Sequence, residues 1–547
     1  MVAIRLAMVQ TNPVVGAISG NLDDIFTRVV QAAAEGANLV LCGEMAVTGY
    51  PIEDLAQRPG FLRDSQAAVA DFAVRLLNAG LGEVHVVVGH PSPAAQANGW
   101  AIAQNCASVL HRGEVIGTYA KHHLPNYSVF DEYRIFVPGT LPLIFAIDGI
   151  RFGVLICEDI WQAGGPVAQL DEAGVDVALV LNGSPFELGK RETRRELVSD
   201  LAQKLDACVL YTNLVGGQDD LVFDGASLAA DAHGTIVAES PDFRTSTVLL
   251  DVTSKSLTAV SGRGEPIHGP DDLRQVWQAL TLGLADYVNK NGFKSVVLGL
   301  SGGIDSAVCA ALAVDAIGPD RVFGVSLPSK YSSDHSKSDA FDLAERLGVH
   351  IRTEAIADMV EVAERQLGLE GLAAENLQAR VRGLILMALS NAEGHLTLTT
   401  GNKTELAVGY STIYGDSVGG YAPIKDVPKT LVWDLARWRN ALTPSHPPIP
   451  ENSIEKPPSA ELRPGQVDQD SLPEYDQLDA MLELYIDQRL GRQEIVAAGF
   501  DDATVTRVIS LVDRAEWKRR QGAIGPKITG MAFGRDRRLP ITNAFRQ

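Results

Sequence analysis

The chain has 547 residues, 46% of them hydrophobic and 21% charged, and carries a net charge of −21. That length exceeds what one hydrophobic core supports, so two or more domains are expected. No apolar run reaches the ~20 residues that cross a bilayer, and so acidic a chain lacks the basic clusters of a nonspecific nucleic-acid binder. The five cysteines are scattered without a CxxC pair, which implies a reducing compartment and no zinc site. Nothing at the N-terminus resembles a signal peptide, so a cytoplasmic location is expected.

The first 260 residues alternate short apolar runs with helical segments. Strands are predicted at 3–9, 38–42, 84–89, 152–157, 176–182, 208–211 and 246–251. Near-continuous apolar runs of this kind imply a sheet covered on its faces. Three polar groups stand at strand ends or in loops. Glu44 lies in Gly43-Glu-Met-Ala-Val-Thr-Gly-Tyr-Pro, and Lys121 opens Lys-His-His-Leu-Pro-Asn-Tyr127. Cys157 ends the fourth run and is followed by Glu-Asp-Ile-Trp. A cysteine at a strand-to-helix turn is held like the serine of a nucleophile elbow. A carboxylate to take the thiol proton, an ammonium to stabilise an oxyanion and a thiol to attack together suit amide chemistry.

The stretch from Arg263 to Asp272 is rich in Gly and Pro, and the linker is placed at 263–275, between domains 1–262 and 276–547. A second α/β unit follows: a helix at about 272–291, a strand at 295–300, a helix to about 314, a strand at 322–327 and a helix at 334–347. This alternation predicts a doubly wound parallel sheet with its ligand at the carboxyl ends of the strands. Between the first strand and its helix stands Gly299-Leu300-Ser301-Gly302-Gly303-Ile304-Asp305-Ser306. The glycines let a ligand approach the backbone, and the helix start offers free N–H groups to an anion such as the phosphates of a nucleotide. It is not a Walker loop, because no Gly-Lys-Ser/Thr follows. An anionic ligand on so acidic a chain must be met by local positive groups. Residues 444–473 hold eight prolines among Ser, Glu and Asp. They are expected to bury little apolar surface and to form a mobile loop over the active site.

Ser301 to Ser306 resembles the PP-loop of ATP pyrophosphatases, which split ATP into AMP and pyrophosphate to activate a carbonyl oxygen. Residues 1–260 resemble the nitrilase, or carbon–nitrogen hydrolase, superfamily, with its Glu-Lys-Cys triad. Glu44 matches the general base, Lys121 the oxyanion-stabilising lysine and Cys157 the nucleophile. Glu132 matches a supporting glutamate and, with Tyr127, Ser184 and Lys190, would hold glutamine. The family glutamate usually follows Pro or Ser, whereas here it follows Gly43.

Both halves together resemble the glutamine-dependent NAD synthetases over essentially the whole chain. The fold implied is α/β: an N-terminal αββα nitrilase-like sandwich plus a C-terminal doubly wound parallel-sheet PP-loop ATP pyrophosphatase domain. Gly299–Ser306 and Thr400 would bind ATP, while Asn376, Arg380, Glu405 and Lys518 would bind deamido-NAD. Asp305 and Glu405 would hold Mg2+ that comes with ATP, and no tightly bound organic cofactor is implied. The substrates implied are glutamine, ATP and deamido-NAD, with ammonia channelled between two sites. No nucleic-acid or membrane partner is implied, and the chain would be a homo-oligomer, a dimer or larger. A different amidotransferase is the nearest competing reading, but position 2 is Val2 rather than the cysteine of an asparagine-synthetase type, and Cys157 lacks the histidine motif of a GMP-synthetase type. A stand-alone amidase with a nucleotide-sensing second half is the next, under which no AMP would form.

Overall fold

The computed structural model describes residues 3–261, 272–332, 334–463 and 465–545. The chain divides into two compact units, residues 1–218 with 222–270, and residues 219–221 with 271–547.

The first unit begins with β1 (Ile4–Gln10), α1 (Ile18–Ala34), β2 (Leu39–Leu41), α2 (Pro59–Asn78), β3 (His85–Asn98), β4 (Ala101–His111) and β5 (Glu114–Ala120). It continues through β6 (Ile144–Ile147), β7 (Ile150–Ile156), α3 (Gly165–Ala173), β8 (Val177–Asn182), α4 (Lys190–Leu205) and β9 (Cys208–Asn213). The last strands are β10 (Val215–Gln218), β11 (Leu221–Asp224), β12 (Leu228–Ala230), β13 (Ile236–Glu239), β14 (Ser246–Thr253) and β15 (Ser256–Ser261). One sheet runs β15-β14-β1-β2-β3-β4-β5, the other β13-β12-β9-β8-β7-β6. Each is mixed: β1, β2 and β3 are parallel, as are β7, β8 and β9, and antiparallel strands flank both trios.

Strand β8 shows how this sequence dictates the layering. Val177, Leu179 and Leu181 enter the core between the sheets, and Ala178 and Val180 face a second core under α3 and α4. A strand covered on both faces reads as one apolar run because successive side chains alternate. Helices α1 and α2 cover the other sheet with Ile25, Val29, Val69 and Phe72, and Phe26 meets Phe72 edge-on. The result is the expected αββα sandwich.

The second unit contains α5 (Asp272–Lys290), β16 (Val296–Gly299), α6 (Ile304–Ile317), β17 (Val322–Ser326), α7 (Asp334–Leu347), β18 (His350–Thr353), α8 (Ala357–Leu367), α9 (Leu372–Glu393) and β19 (Leu396–Thr397). Its four strands are all parallel, in the order β18-β17-β16-β19. The chain leaves β16 on one side for β17 and returns on the other for β19, so a crevice opens beyond the carboxyl ends of β16 and β19. Helix α6 is buried on every side from Ser306 to Ala313, as its Ala, Val, Cys and Leu composition requires. Then follow α10 (Lys403–Val408), α11 (Lys429–Ala441), α12 (Glu451–Glu455), α13 (Tyr475–Leu482), α14 (Arg492–Ala497), α15 (Asp502–Arg514) and α16 (Glu516–Arg519). Residues from α10, α13, α14 and α15 share a separate apolar core.

Two expectations need correcting. The linker set at 263–275 lies outside the described residues as far as 271, and its last four residues are the first turn of α5. The proline-rich segment 444–473 does bury apolar side chains: Ile449, Ile454 and Leu472 are inside. The Trp433 indole N–H donates to Ile454 O at 3.1 Å and the Tyr475 hydroxyl to Asp468 at 2.7 Å. A segment too polar for its own core thus borrows one from its neighbours. Among the described residues no helix is long and apolar enough to cross a membrane.

Leu179, fully enclosed between the sheets, tests this layering. Leu179→Ala should cost about 2–5 kcal/mol, through lost transfer energy plus an unfilled cavity. Urea unfolding followed by near-ultraviolet circular dichroism measures it; an unchanged midpoint would contradict the packing.

Candidate active sites

Cys157 follows the last residue of β7 and opens a short helical turn, Cys157–Ile160. Its φ is +44°, a left-handed conformation that costs an ordinary residue roughly 1–2 kcal/mol. Such strain persists where the surroundings enforce it, and it points to a functional position. The side chain is 5% exposed, at the edge of the inter-sheet core.

Glu44 lies three residues beyond β2 and Lys121 directly after β5; both are 1% exposed. The Lys121 ammonium donates to Glu44 Oε1 at 2.8 Å and to Glu132 Oε1 at 3.1 Å, and lies 2.9 Å from Glu132 Oε2. Asn105 donates a second bond to Glu44 Oε1 at 2.7 Å, and the Gly183 backbone N–H donates to Glu44 Oε2 at 2.8 Å. The Tyr50 hydroxyl donates to Glu132 at 2.9 Å. Backbones crowd this place. A Cβ on Gly89 would fall 2.4 Å from Met45 N, and one on Gly43 would fall 2.8 Å from Leu214 Cδ2 and 3.1 Å from Asn182 O. The glycine before the glutamate therefore answers to Leu214 and Asn182.

The charges act on one another strongly because all three side chains are buried away from bulk solvent. Burial works to lower Lys121, but Glu132 and Glu44 outweigh it and hold its ammonium well above the usual lysine range. Burial pushes the Glu132 carboxyl up to about 7 against the pull of Lys121. Burial first, then the Glu44 charge, raises the Cys157 thiol well above its ordinary value, while Lys121 works to lower it. The resting thiol is thus protonated, and a thiolate forms only if a base takes the proton as the sulfur attacks.

Tyr127 and Ser184 are tied to residues next to this group. The Tyr127 hydroxyl donates to Glu158, the residue after Cys157, at 2.9 Å. Ser184 is buried on the turn after β8; its N–H donates to Asn213 at 2.9 Å and its Oγ accepts from Arg194 at 3.1 Å. Lys190 opens α4, and its backbone N–H donates to Glu187 O at 3.1 Å. Asn105, Tyr50, Glu158 and Arg194 were not singled out in the sequence, where each is a common polar residue without a local pattern.

In the second unit a cavity of about 720 Å³ lies beyond β16 and β19. Gly299, Leu300, Ser301, Gly303, Ile304, Asp305 and Ser306 line it, with Thr400, Asn376, Glu405 and Lys518. Gly302 turns away: its φ is +76°, and a Cβ there would fall 2.6 Å from Ser336 O. The loop is braced from within, since Ser306 Oγ donates to Gly303 O at 3.0 Å and Gly303 N–H donates to Ser301 Oγ at 3.2 Å. Asn376 accepts from Thr412 at 2.8 Å, and Lys518 Nζ donates to Gly409 O and Ser411 O, each at 2.8 Å. Arg380 is not among the lining residues; it is exposed and its Nε donates to Ile413 O at 3.2 Å. Two positions further along α9, Arg382 takes the wall and donates to Leu327 O at 3.1 Å.

Asp305 is bonded by the buried Lys429 ammonium and by Asn402 Nδ2, the latter at 2.9 Å. Burial, and next the Asp305 charge, push the Glu405 carboxyl up to about 8. Lys429, Lys456, Arg463, Arg382 and Lys518 bring five cations to the cavity of an acidic chain, four of them not anticipated from the sequence. Residues 456–463, part of the proline-rich segment, form one wall.

Residues 5–261 match the family model of carbon-nitrogen hydrolases and residues 276–522 that of NAD synthases. Over its full length the chain is 43% identical to a glutamine-dependent NAD(+) synthetase of Acinetobacter baylyi, covering 100% of this chain and 99% of that one. It is 46% identical to the enzyme of that description from Xanthomonas campestris, covering 99% and 98%. A solved glutamine-dependent NAD+ synthetase from Acinetobacter baumannii, in complex with adenosine diphosphate, superposes with a TM-score of 0.78 at 42% identity, covering 99% of each chain.

Gly302→Ala should damage the second site alone. The left-handed backbone and the close Ser336 carbonyl leave no room for a methyl, so the loop must shift. ATP titration should show affinity weaker by about tenfold or more, which corresponds to about 1.4 kcal/mol. Alkylation of Cys157 should be unchanged.

Proposed function

The chain belongs to the glutamine-dependent NAD(+) synthetase family, and on that premise we propose that Glu44, Lys121 and Cys157 release ammonia from glutamine for use at the Ser301–Ser306 loop. The observation that carries the first half is the buried Lys121 ammonium between Glu44 and Glu132, beside a strained Cys157. Glu44 takes the thiol proton as Cys157 Sγ bonds to the side-chain carbonyl carbon of glutamine. Lys121 and a backbone N–H at the Cys157 turn stabilise the oxyanion. The proton passes to the departing nitrogen, ammonia leaves, and a thioester remains. Water, deprotonated by Glu44, attacks the thioester and frees glutamate and the thiol. Tyr127, Ser184 and Lys190 would orient the substrate, and Glu132, expected there too, would act through its hold on Lys121.

At the second site a carboxylate oxygen of deamido-NAD attacks the α-phosphorus of ATP, and pyrophosphate leaves. Ammonia then displaces AMP from the acyl adenylate to give the amide of NAD. The loop residues and the start of α6 would receive the phosphates, and Thr400 would contact ATP. Asn376, Glu405 and Lys518 would contact deamido-NAD, and Arg382 fits this role better than Arg380 because it lines the cavity. The Acinetobacter baumannii relative was solved in complex with adenosine diphosphate, which supports an adenine-nucleotide site in this chain. Asp305 and Glu405 would hold Mg2+, which offsets phosphate charge when bound. The described residues contain no cluster of three or more His, Cys, Asp or Glu that could cage a metal, and this suits an ion that arrives with phosphate ligands. Ammonia in bulk water would be protonated and diluted, which is the chemical case for passing it internally. Residues 444–473 would act as a cover over the nucleotide, tied to α7 by the bond from Lys456 Nζ to Ser336 Oγ.

Cys157→Ala should abolish glutamine-dependent NAD formation and leave synthesis from concentrated ammonium salt intact. Asp305→Ala should remove synthesis from either donor. Coupled assays of NAD and AMP measure both, and a Cys157→Ala enzyme that still used glutamine would refute the triad. If AMP never forms from ATP, deamido-NAD and a nitrogen donor, glutamine or ammonium, the nucleotide-sensing amidase is the right reading.

Hydrogen exchange across 444–473 should slow when ATP and deamido-NAD are added. Equal exchange in both states would remove the cover from this account.

A further inference from the structure

We propose that Asp159 is a positioning residue of the glutamine-hydrolysing site: its one carboxylate ties the Lys121 segment of the first sheet to the Cys157 turn of the second. The inference rests on the reading of Glu44, Lys121 and Cys157 as the triad. Asp159 lies two residues after Cys157 and is fully buried. Its Oδ1 accepts from His122 N at 3.1 Å and His123 N at 2.9 Å. Its Oδ2 accepts from Ile156 N at 2.9 Å and the Tyr119 hydroxyl at 2.7 Å. Those four donors fill the acceptor capacity of a carboxylate. Three of them, from Tyr119, His122 and His123, bracket Lys121. The fourth is the peptide N–H of the residue before Cys157.

This arrangement solves a specific mechanical problem. Lys121 follows β5, the edge of the seven-stranded sheet, and Cys157 follows β7 in the six-stranded sheet. No hydrogen-bonded ladder joins the two sheets, so their relative register rests on single polar crossings such as Ser227 with Gln10 and Gly183 with Glu44, and Asp159 is the crossing between the Lys121 and Cys157 segments. The Lys121 backbone is held by Asn105 O and Gly139 N, each at 2.8 Å, but these secure it to its own side. Asp159 refers it to the nucleophile. Amide attack requires the ammonium to meet the oxyanion as the sulfur bonds to carbon, and a misplacement near 1 Å costs about 10²-fold in rate.

Aspartate is needed rather than its amide. Asparagine offers one acceptor oxygen and an NH2 group, so one pair of donors would face another donor. The bonds from His123, Ile156 and Tyr119 also oppose the burial that raises the Asp159 carboxyl, which favours the charged form that accepts all four.

The test uses the full chain with Asp159→Asn and Asp159→Glu beside Cys157→Ala. Asp159→Asn should lower kcat for glutamine hydrolysis by about 10²-fold with KM within about threefold, since substrate contacts remain and transition-state geometry is lost. Carboxymethylation of Cys157 should slow, while the unfolding temperature and ammonia-dependent synthesis stay near those of the parent. Asp159→Glu restores the charge and both acceptors one methylene further out, so its kcat should lie between the two. Wild-type kcat in Asp159→Asn overturns the proposal. Loss of cooperative unfolding in both variants also overturns it, because Asp159 is then a folding residue. If only the Asn variant fails to fold, wild-type kcat in the Glu variant overturns it and a reduced kcat with unchanged KM supports it. The triad reading fails separately, through a Cys157→Ala chain that still hydrolyses glutamine.

Discussion

The Lys121 ammonium, 1% exposed between Glu44 and Glu132, is the constraint around which the first unit is arranged. A charge without water must be paired and hydrogen-bonded, and removing one partner from such a group leaves an uncompensated ion. Three ionisable side chains in one enclosure need donors beyond the ammonium itself. Asn105, the Gly183 backbone and the Tyr50 hydroxyl supply them. These donors come from β4, from the turn after β8 and from the loop after β2. One ion pair therefore draws on strands from both sheets, and the sandwich must close correctly for the charges to be tolerated at all. The same enclosure sets the chemistry. Burial, and next the Glu44 charge, favour the protonated thiol at Cys157.

The second unit meets the opposite problem, which is to receive an anion in a chain of net charge −21. Its answer is topological before it is electrostatic. The reversal of strand order between β17 and β19 opens a crevice at β16, and the Gly302–Gly303 turn brings the first N–H groups of α6 to that crevice. Five cations then gather there from α9, α11, the proline-rich segment and α16. Gly302 contributes by facing away, since its left-handed backbone lets the turn fold tightly against the Ser336 carbonyl.

What the sequence disclosed depended on the distance over which each signal acts. The Ser301–Ser306 loop and the Cys157 turn were legible because strand, turn and helix follow one another within a few residues. Strands β7, β8 and β9 were legible as unbroken apolar runs. Strand β5, Glu-Val-Ile-Gly-Thr-Tyr-Ala, was not, because it is an edge strand with most of its side chains outside the core. Lys121 carried no local mark of its role. Its partner Glu44 is 77 residues away, and only the resemblance of three separate contexts picked it out. Lys429 lacked even that, since Asp305 lies 124 residues earlier in the chain. Arg380 and Arg382 show the limit of motif matching: both stand in the same basic stretch of α9, and which one faces the cavity is decided by how the helix packs. The proline-rich segment misled through composition. Three of its apolar residues, Ile449, Ile454 and Leu472, are buried against other segments, which an average over thirty residues hides.

The two sites share one device. In each, a buried lysine meets a carboxylate beside a second carboxylate: Lys121 with Glu44 and Glu132, and Lys429 with Asp305 next to Glu405. In each, the second carboxyl is pushed up by burial, to about 7 at Glu132 and about 8 at Glu405. One lysine offsets one negative charge, and the surplus carboxylate is left seeking a proton or a cation. The difference lies in what can reach it. Glu132 is 2% exposed and fixed by Tyr50, so its surplus stays within the enclosure and serves to anchor Lys121. Glu405 faces a cavity of about 720 Å³, so its surplus is open to a cation that enters with a ligand. The same charge arithmetic yields a closed ion pair in one unit and a place for an incoming counter-ion in the other, and access decides which.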